Sequence, residues 1–499
     1  MTPRHILTMD IGTTSVKVSL FSEALEPVCT AAEEYVLETY PGNAVELDPG
    51  IYLEKIRLAL SRVLKQAGAG CNISAVGITT QGETLIPVDA EGHPLTPAIV
   101  WLDSRAEKQA GVIKQHISGE EFYKKTGLPE INGSLPLAKL LFIKEELPEV
   151  YNKTCKFLLL EDYIIYWLTG CFVSERSLQC STGYFELLQD DYWEEALRVA
   201  GIDRRKLPEL VGCGHKVGSI LSKRALELSL PENAVVVTGA MDQACAALAA
   251  GCTAPGRVTE TTGTALVMAA YTKKPDFGHR SKVTVYRHAL DNCFLYLPIG
   301  ITAGMALKWF KDKFCPELSG QGQTAYGIMD ELASGVPAGC NGLIALPYFA
   351  GSINPVAMPD ARAAFLGVTL DTSREEFIRS ILEAVGFMLR DFIGMLENLG
   401  CEIKEIYSLG GGSRSGIWQQ IKADICRKTF MTVEFSEMSS MGAAILAAWG
   451  SGILEKGCLP ALENVKKFMP LPQNEEVYEQ AYSKYKRFSE TINVLYREV

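Results

Sequence analysis

The sequence predicts a duplicated α/β protein, with two halves facing one another across a ligand site. Three observations carry this expectation. Ile6 to Phe21 reads as strand, tight turn and strand, with β-branched and long apolar residues in both arms and Gly12-Thr13-Thr14 at the bend. Val258 to Met268 repeats the pattern, and Gly263-Thr264 stands where Gly12-Thr13 stands in the first copy. Two further junctions, Gly239 to Gln243 and Gly410 to Ser415, place polar or glycine-rich turns at strand ends, which in open α/β sheets face the ligand crevice. The boundary is expected near residue 250, giving halves 1–248 and 249–499.

In chain order, Asp10 ends the first arm of the hairpin. A carboxylate beside free backbone N–H groups and hydroxyls suits a metal-bound polyphosphate; taken alone, the stretch is an ordinary β-hairpin. Asp48-Pro49 supplies an N-cap and a first-turn proline, and Leu53, Ile56, Leu60, Val63 and Leu64 follow at helical spacing up to Gly68. Ile73 to Thr79 reads as a buried strand running into Thr80-Gln81-Gly82-Glu83-Thr84, which makes Gln81, Glu83 and Thr84 candidates for a polar contact. Ile99 to Arg105 repeats an apolar strand closing on a polar cluster; singly, Trp101 reads as core and Asp103 with Arg105 as a surface ion pair. Residues 106–225 read mainly as helices with little chemistry, including Glu161 to Leu168. Ala234 to Thr238 is a buried strand leading to Asp242 and Gln243, two polar residues in an otherwise apolar stretch. Asp242 either caps the following helix or works in catalysis.

In the second half, Ser373-Arg374-Glu375-Glu376 is a capping box opening a helix whose Phe377, Ile381, Val385, Met388, Phe392, Met395 and Leu399 share one face. Glu405 to Leu409 is a strand, and Gly410-Gly411-Gly412-Ser413-Arg414-Ser415 carries it into the next helix. Bare backbone at a helix start lets a ligand lie close. The turn is neither a Walker A loop nor Gly-x-Gly-x-x-Gly. Glu437 to Ala444 opens a small-residue helix expected to pack on that turn, and the C-terminal residues read as a charged surface helix.

Composition narrows the class. With 47% hydrophobic and 21% charged residues over 499 positions, the chain is expected to build large cores in two domains. A net charge of -11 and the lack of a basic run argue against a nucleic-acid partner. No long uncharged apolar run and no apolar leader core appear, so neither membrane nor export is expected and a cytoplasmic location is. The 14 cysteines show no Cys-x-x-Cys pair or zinc spacing and read as reduced, buried residues.

These residues resemble the FGGY carbohydrate kinases along essentially the whole chain and in order, which implies the actin-like ATPase (ribonuclease H-like) fold. Met9 to Lys17 is similar to that family's first phosphate motif and Thr261 to Thr264 to its second. Gly239 to Gln243 resembles the segment holding the catalytic base, and Gly410 to Ser415 the adenosine motif. Ser134 to Phe142 is similar to one family signature, with Phe142 where Trp is usual. Ala363 to Val368, continuing to Glu383, is similar to the other. The resemblance implies transfer of the ATP γ-phosphate to a sugar or polyol hydroxyl, with Asp242 taking the hydroxyl proton. Asp10 would hold Mg²⁺ through water with Asp242 beside it. Gly12, Thr13, Thr14, Thr262, Gly263 and Thr264 would bind the phosphates, and Gly411, Gly412 and Ser413 the nucleotide. Lys17 is either a phosphate neighbour or a solvated strand residue.

The acceptor segment is where the resemblance divides. Gln81-Gly82-Glu83-Thr84 is similar to the Gln-Arg-Glu-Thr of glycerol kinase without its Arg, while xylulokinases place Met-His there. Trp101, Asp103 and Arg105 fit the Trp-x-Asp-x-Arg of both, and Gln243 completes the candidate acceptor set. Loss of the Arg is expected to leave room at Gly82 for an acceptor larger than glycerol. Ser352 and Ile353 replace the Glu and Arg of a family loop. The resemblance therefore implies a ketose such as xylulose, with glycerol, tetritol or gluconate as alternatives, and is compatible with a homodimer. A non-catalytic sugar-binding protein or an actin-like ATPase that moves a protein partner are the readings in other classes. Retention of Asp10 and Asp242 speaks against the first, and the lack of cluster cysteines against the activator form of the second.

Overall fold

The computed structural model describes residues 4–68, 71–279, 282–318, 320, 322–435 and 437–498. The first half contains β1 (Arg4–Ile11), β2 (Ser15–Ser22), β3 (Pro27–Glu34), α1 (Pro49–Ala67), β4 (Asn72–Thr80), α2 (Pro136–Glu146), α3 (Leu160–Thr169), β5 (Lys216–Ser219), β6 (Val235–Thr238) and α4 (Asp242–Ala249). Its sheet runs β5-β6-β4-β1-β2-β3. β1 and β2 form the expected antiparallel hairpin, while β4 and β6 lie parallel on the other side of β1.

Pleating decides what each face of β1 meets. Leu7, Met9 and Ile11 pack with Tyr52, Ile56, Leu60 and Val63 of α1 and with Ile164 and Leu168 of α3. Ile6, Thr8 and Asp10 point the other way, so Asp10 emerges on the face opposite α1. α1 begins as its sequence predicts: the Asp48 carboxylate accepts the Gly50 N–H at 2.7 Å, and Gly68 ends the helix at φ 75°.

The second half contains β7 (Gly256–Thr262), β8 (Leu266–Thr272), β9 (Thr284–Arg287), β10 (Phe294–Leu297), α5 (Gly304–Phe314), α6 (Gln323–Ser334), α7 (Arg374–Asn398), β11 (Ile403–Leu409), α8 (Gly416–Cys426), β12 (Thr429–Thr432), α9 (Met438–Ser451), β13 (Lys466–Phe468) and α10 (Glu475–Glu498). Its sheet runs β9-β10-β8-β7-β11-β12-β13, with the short strand Ile299–Gly300 also paired to β8. The pattern of the first sheet returns: an antiparallel meander (β10, β8, β7), then two parallel strands (β11, β12) and an antiparallel edge. The capping box at Ser373 and Glu376 forms in both directions and opens α7.

Four expectations need correction. Residues 106–225 hold, besides helices, the strands Lys156–Leu159, Val173–Glu175, Phe185–Glu186, Asp191–Tyr192 and Glu209–Val211, each too short to carry a periodic signal. The strand before Trp101 stops at Ile99, and Trp101 sits in a turn at 36% exposure instead of in the core. The C-terminal helix α10 is only partly a surface element, because Tyr478, Ala481 and Tyr485 are buried. Finally, α9 lies against the sheet of the first half and against α4. A Cβ on Gly77 of β4 would stand 2.5 Å from the Ala443 carbonyl oxygen and 3.0 Å from the Ala447 methyl, so helix and strand approach as closely as glycine and alanine permit.

Candidate active site

The carboxyl ends of three neighbouring parallel strands bring the first-half residues together. Asp10 pairs with Thr79 in register, so β1 delivers Asp10 and the Gly12 turn, β4 delivers Gln81 to Thr84, and β6 delivers Gly239 to Asp242 to one edge. In the second half Thr261 pairs with Leu409, which sets the Gly263 turn beside the Gly410 turn. The two turns close differently: Gly12 N–H donates to Ser15 O, three residues on, and Gly263 N–H donates to Ala265 O, two residues on, each at 3.0 Å.

The first turn is braced from outside. Tyr35 N–H donates to Thr14 O at 3.0 Å and the Tyr35 hydroxyl donates to Gly12 O. The Trp101 indole N–H donates to the Thr13 hydroxyl at 3.0 Å, linking the Trp101 turn to the Gly12 turn. Lys17 forms an ion pair with Glu437, which precedes α9. Burial opposes its charge, but Asp10 and Glu437 outweigh that and hold the Lys17 ammonium above its ordinary pKa. Lys17 is thus neither free nor fully solvated.

Asp10 and Asp242 are both recessed carboxyls. Burial, reinforced by Asp242 and Glu437 and opposed by Lys17, pushes Asp10 up to about 7, and the Ser440 hydroxyl donates to it at 3.4 Å. Burial pushes Asp242 up to about 6 against the Gln243 N–H, which donates to it at 2.6 Å. Asp242 is the first residue of α4, and Met241 holds the cap position, so the cap reading does not describe its place. Its loop is tied by side chains around it. Gly239 N–H donates to Glu161 at 3.0 Å, Met241 N–H to the Ser177 hydroxyl at 3.0 Å, and the Thr79 hydroxyl to Ala240 O at 2.7 Å.

A small cavity of ≈ 140 Å³ opens in front of Asp242, lined by Thr13, Gln81, Gly82, Glu83, Trp101, Met241 and Asp242. Gln81 is buried at the wall of this cavity, its side chain beside the Tyr52 hydroxyl of α1. Glu83 is half-buried and is pushed up to about 7 by desolvation, with Lys139 pulling it down. Thr84, Asp103 and Gln243 do not line this space. The Thr84 hydroxyl accepts the Trp101 N–H at 3.3 Å, and Asp103 binds Val45 N–H at 2.6 Å and the Arg105 guanidinium at 2.6 Å. The room expected at Gly82 is taken: a Cβ there would lie 2.9 Å from the Ser181 hydroxyl and 3.7 Å from the Met241 sulfur.

A larger cavity of ≈ 370 Å³ adjoins the second turn, lined by Thr262, Gly263, Thr264, Gly411, Gly412 and Arg414 together with residues the sequence did not flag, including Met305, Tyr326, Asp330 and Trp418. A Cβ on Gly263 or Gly411 would meet nothing within 4 Å, so bare backbone fronts open space there. Gly412 is different. Its Cβ would stand 2.7 Å from the Thr262 Cγ2, so the two turns interlock. Ser413 folds its hydroxyl back onto Gly410 O at 2.8 Å and is not on the cavity wall.

Beneath Thr262 lies an ion pair that sequence reasoning missed. Lys422 donates to Glu260 at 2.7 Å and to the Thr262 hydroxyl at 2.9 Å, and that hydroxyl donates to the other Glu260 oxygen at 2.7 Å. Both charged side chains are completely buried. The pair fixes Thr262 from behind and leaves its backbone facing the cavity.

Comparison with known proteins agrees with this geometry. The family model for the N-terminal domain of the FGGY family of carbohydrate kinases matches residues 5–249, and that for the C-terminal domain matches residues 259–451. The chain is 30% identical over 459 residues to a gluconokinase of Bacillus subtilis, covering 90% of this chain and 88% of that protein. It is 28% identical over 487 residues to a xylulose kinase of the same organism, covering 97% and 96%. A xylulose kinase structure from Rhodospirillum rubrum superposes with a TM-score of 0.87 at 26% identity, covering 99% of this chain and all of that one. A Plasmodium falciparum glycerol kinase, at 22% identity and a TM-score of 0.85, covers 97% and 98% and shares the fold. This is the actin-like ATPase fold, and the ATP-using enzyme that carries it here is a carbohydrate kinase: the chain belongs to the FGGY family.

Proposed function

We propose that this kinase phosphorylates a hydroxyl of an uncharged carbohydrate, a ketose such as xylulose or a polyol, with Asp242 as the base. The observation that supports this most is the acceptor cavity. Its ionisable lining groups among the described residues are the two carboxyls Glu83 and Asp242, with no Lys, Arg or His on the wall. Such a wall accepts hydroxyl hydrogens and repels an aldonate carboxylate. Its size and the filled space at Gly82 also favour a compact acceptor.

Asp242 takes the acceptor hydroxyl proton as that oxygen bonds to the γ-phosphorus and the bond to the β-phosphate oxygen breaks, releasing ADP. The Gly12-Thr13-Thr14 and Thr262-Gly263-Thr264 turns donate to phosphate oxygens from opposite halves, with Lys17 at the edge, and the Gly411-Gly412 turn carries the nucleoside. Asp10 and Asp242 suit a hydrated Mg²⁺, since two recessed carboxyls with raised affinity for protons form a hard oxygen donor set. Mg²⁺ bound there would neutralise charge on the phosphates. Halves 1–248 and 249–499 close over the substrates, excluding water, and the reading places the enzyme in the cytoplasm. The test is ADP release over a panel of pentuloses, hexuloses, pentitols, tetritols, glycerol and gluconate. A neutral ketose or polyol is expected to give the highest kcat/KM. A preference for gluconate overturns the neutral acceptor, and release without any acceptor overturns transfer to carbohydrate.

A further inference from the structure

The segment Ser134 to Phe142 has no part in the phosphate chemistry, yet it carries a lysine where packing wants none. Lys139 sits on α2 among the buried Leu137, Ala138, Leu140 and Ile143 and is itself 0% exposed. An ammonium in such a place is costly unless it is held by acceptors, and a methionine would fill the same volume without that cost. Its two hydrogen bonds show what it holds. Lys139 Nζ donates to Val100 O at 2.9 Å and to Glu83 O at 3.3 Å. These carbonyls belong to the two segments, Gln81 to Thr84 and Val100 to Asp103, that bring Gln81, Gly82, Glu83 and Trp101 to the wall of the acceptor cavity.

Glu83 also adopts φ 63°, in the left-handed region that a glutamate avoids, so its backbone needs an external hold. The other tie between the segments, Trp101 N–H to the Thr84 hydroxyl at 3.3 Å, is long. We propose that Lys139 is a positioning residue for the acceptor. Its ammonium clamps both segments from behind, so that the Glu83 carboxyl and the Trp101 indole face the acceptor while Trp101 keeps its bond to Thr13. This rests on the kinase reading above for what the acceptor is, but the clamp itself stands on the two hydrogen bonds.

The test uses the full-length Lys139→Met and Lys139→Gln variants, with three readouts: steady-state constants for the best acceptor of the panel, ADP affinity by calorimetry, and amide hydrogen exchange. Lys139→Met is expected to raise the acceptor KM at least tenfold, to leave the ADP Kd within twofold, and to speed exchange in both 81–84 and 100–103. Lys139→Gln, which keeps a donor, is expected to fall between. An unchanged acceptor KM with unchanged exchange overturns the proposal, as does an ADP affinity that falls in step with the acceptor's. Loss of folding in both variants also overturns it, since Lys139 would then serve the core at large. If the wild-type enzyme transfers phosphate to no carbohydrate, the kinase reading fails, and the exchange arm still decides whether Lys139 holds the two segments.

Discussion

Asp242 illustrates how a single residue's environment sets the chemistry. Its carboxyl is raised from 3.8 to about 6 by burial, so at neutral pH it is ionised but close to the pH at which it can usefully take a proton. As the proposed base it works only when ionised. Activity is therefore expected to fall as the pH drops from about 7 through about 6, seen as an acid limb in log kcat/KM with a slope of one or more, because Asp10 must also be ionised to hold the proposed metal. The stability effect has the opposite sign. The folded chain holds this proton more tightly than the unfolded chain does, so the group's contribution to stability falls as pH rises from 3.8 through about 6. At pH 8, Asp242→Asn is expected to stabilise the fold by about 1–3 kcal/mol while losing transfer, measured as a higher Tm in the same buffer. Asp242 stands out in the sequence because it and Gln243 interrupt an apolar run. Gly82 was not: the side chains that fill its space, Ser181 and Met241, come from distant positions, and an absent side chain reveals nothing of what replaces it.

Among the elements, α8 and α9 show what local pattern conceals. In sequence Lys422 looks like any helix lysine, beside Gln420, Ala423 and Asp424, because the periodic apolar signal does not say which polar position turns inward. Its partner Glu260 lies in β7, 162 positions away. Lys422→Met leaves the Glu260 charge buried with only the Ser408 and Thr262 hydroxyls to hold it and is expected to cost about 3–5 kcal/mol in denaturant unfolding. The double variant Glu260→Leu with Lys422→Met should recover most of that stability yet show a raised KM for ATP, because Thr262 loses its support. Equal destabilisation of the single and double variants would count against this account. In α9 the small residues were visible, but their purpose was not. A Cβ on Gly442 would run into the Cys245 carbonyl of α4, so Gly442→Ala is expected to destabilise the chain strongly and to depress soluble yield at 37 °C. Wild-type yield and Tm in this variant would mean that α4 and α9 can separate at little cost.

For the whole molecule, the duplication was legible because both hairpins keep the same small, hydroxyl-rich turn, and the two sheets repeat one strand order around them. What could not be read was the crossing of α9 onto the first-half sheet, since an apolar small-residue helix fits any flat surface. That crossing brings Glu437 to Lys17 and Ser440 to Asp10, so the second half already touches the strands that flank the Gly12 turn. Binding of MgADP and acceptor together is expected to reduce the radius of gyration in solution scattering relative to either alone; an unchanged value would mean that catalysis does not use closure. The central claim is that phosphate passes directly within this cleft, from ATP to a neutral carbohydrate whose proton goes to Asp242. Its most direct test is a single-turnover transfer from γ-³²P-labelled ATP, run at pH 8 with the best acceptor of the panel on wild type and Asp242→Asn. The account predicts label in the sugar phosphate for wild type, and a loss of about 10²–10⁴-fold in rate for Asp242→Asn with ADP affinity preserved. Transfer by Asp242→Asn near the wild-type rate, or label released only as inorganic phosphate by the wild-type enzyme, would contradict it.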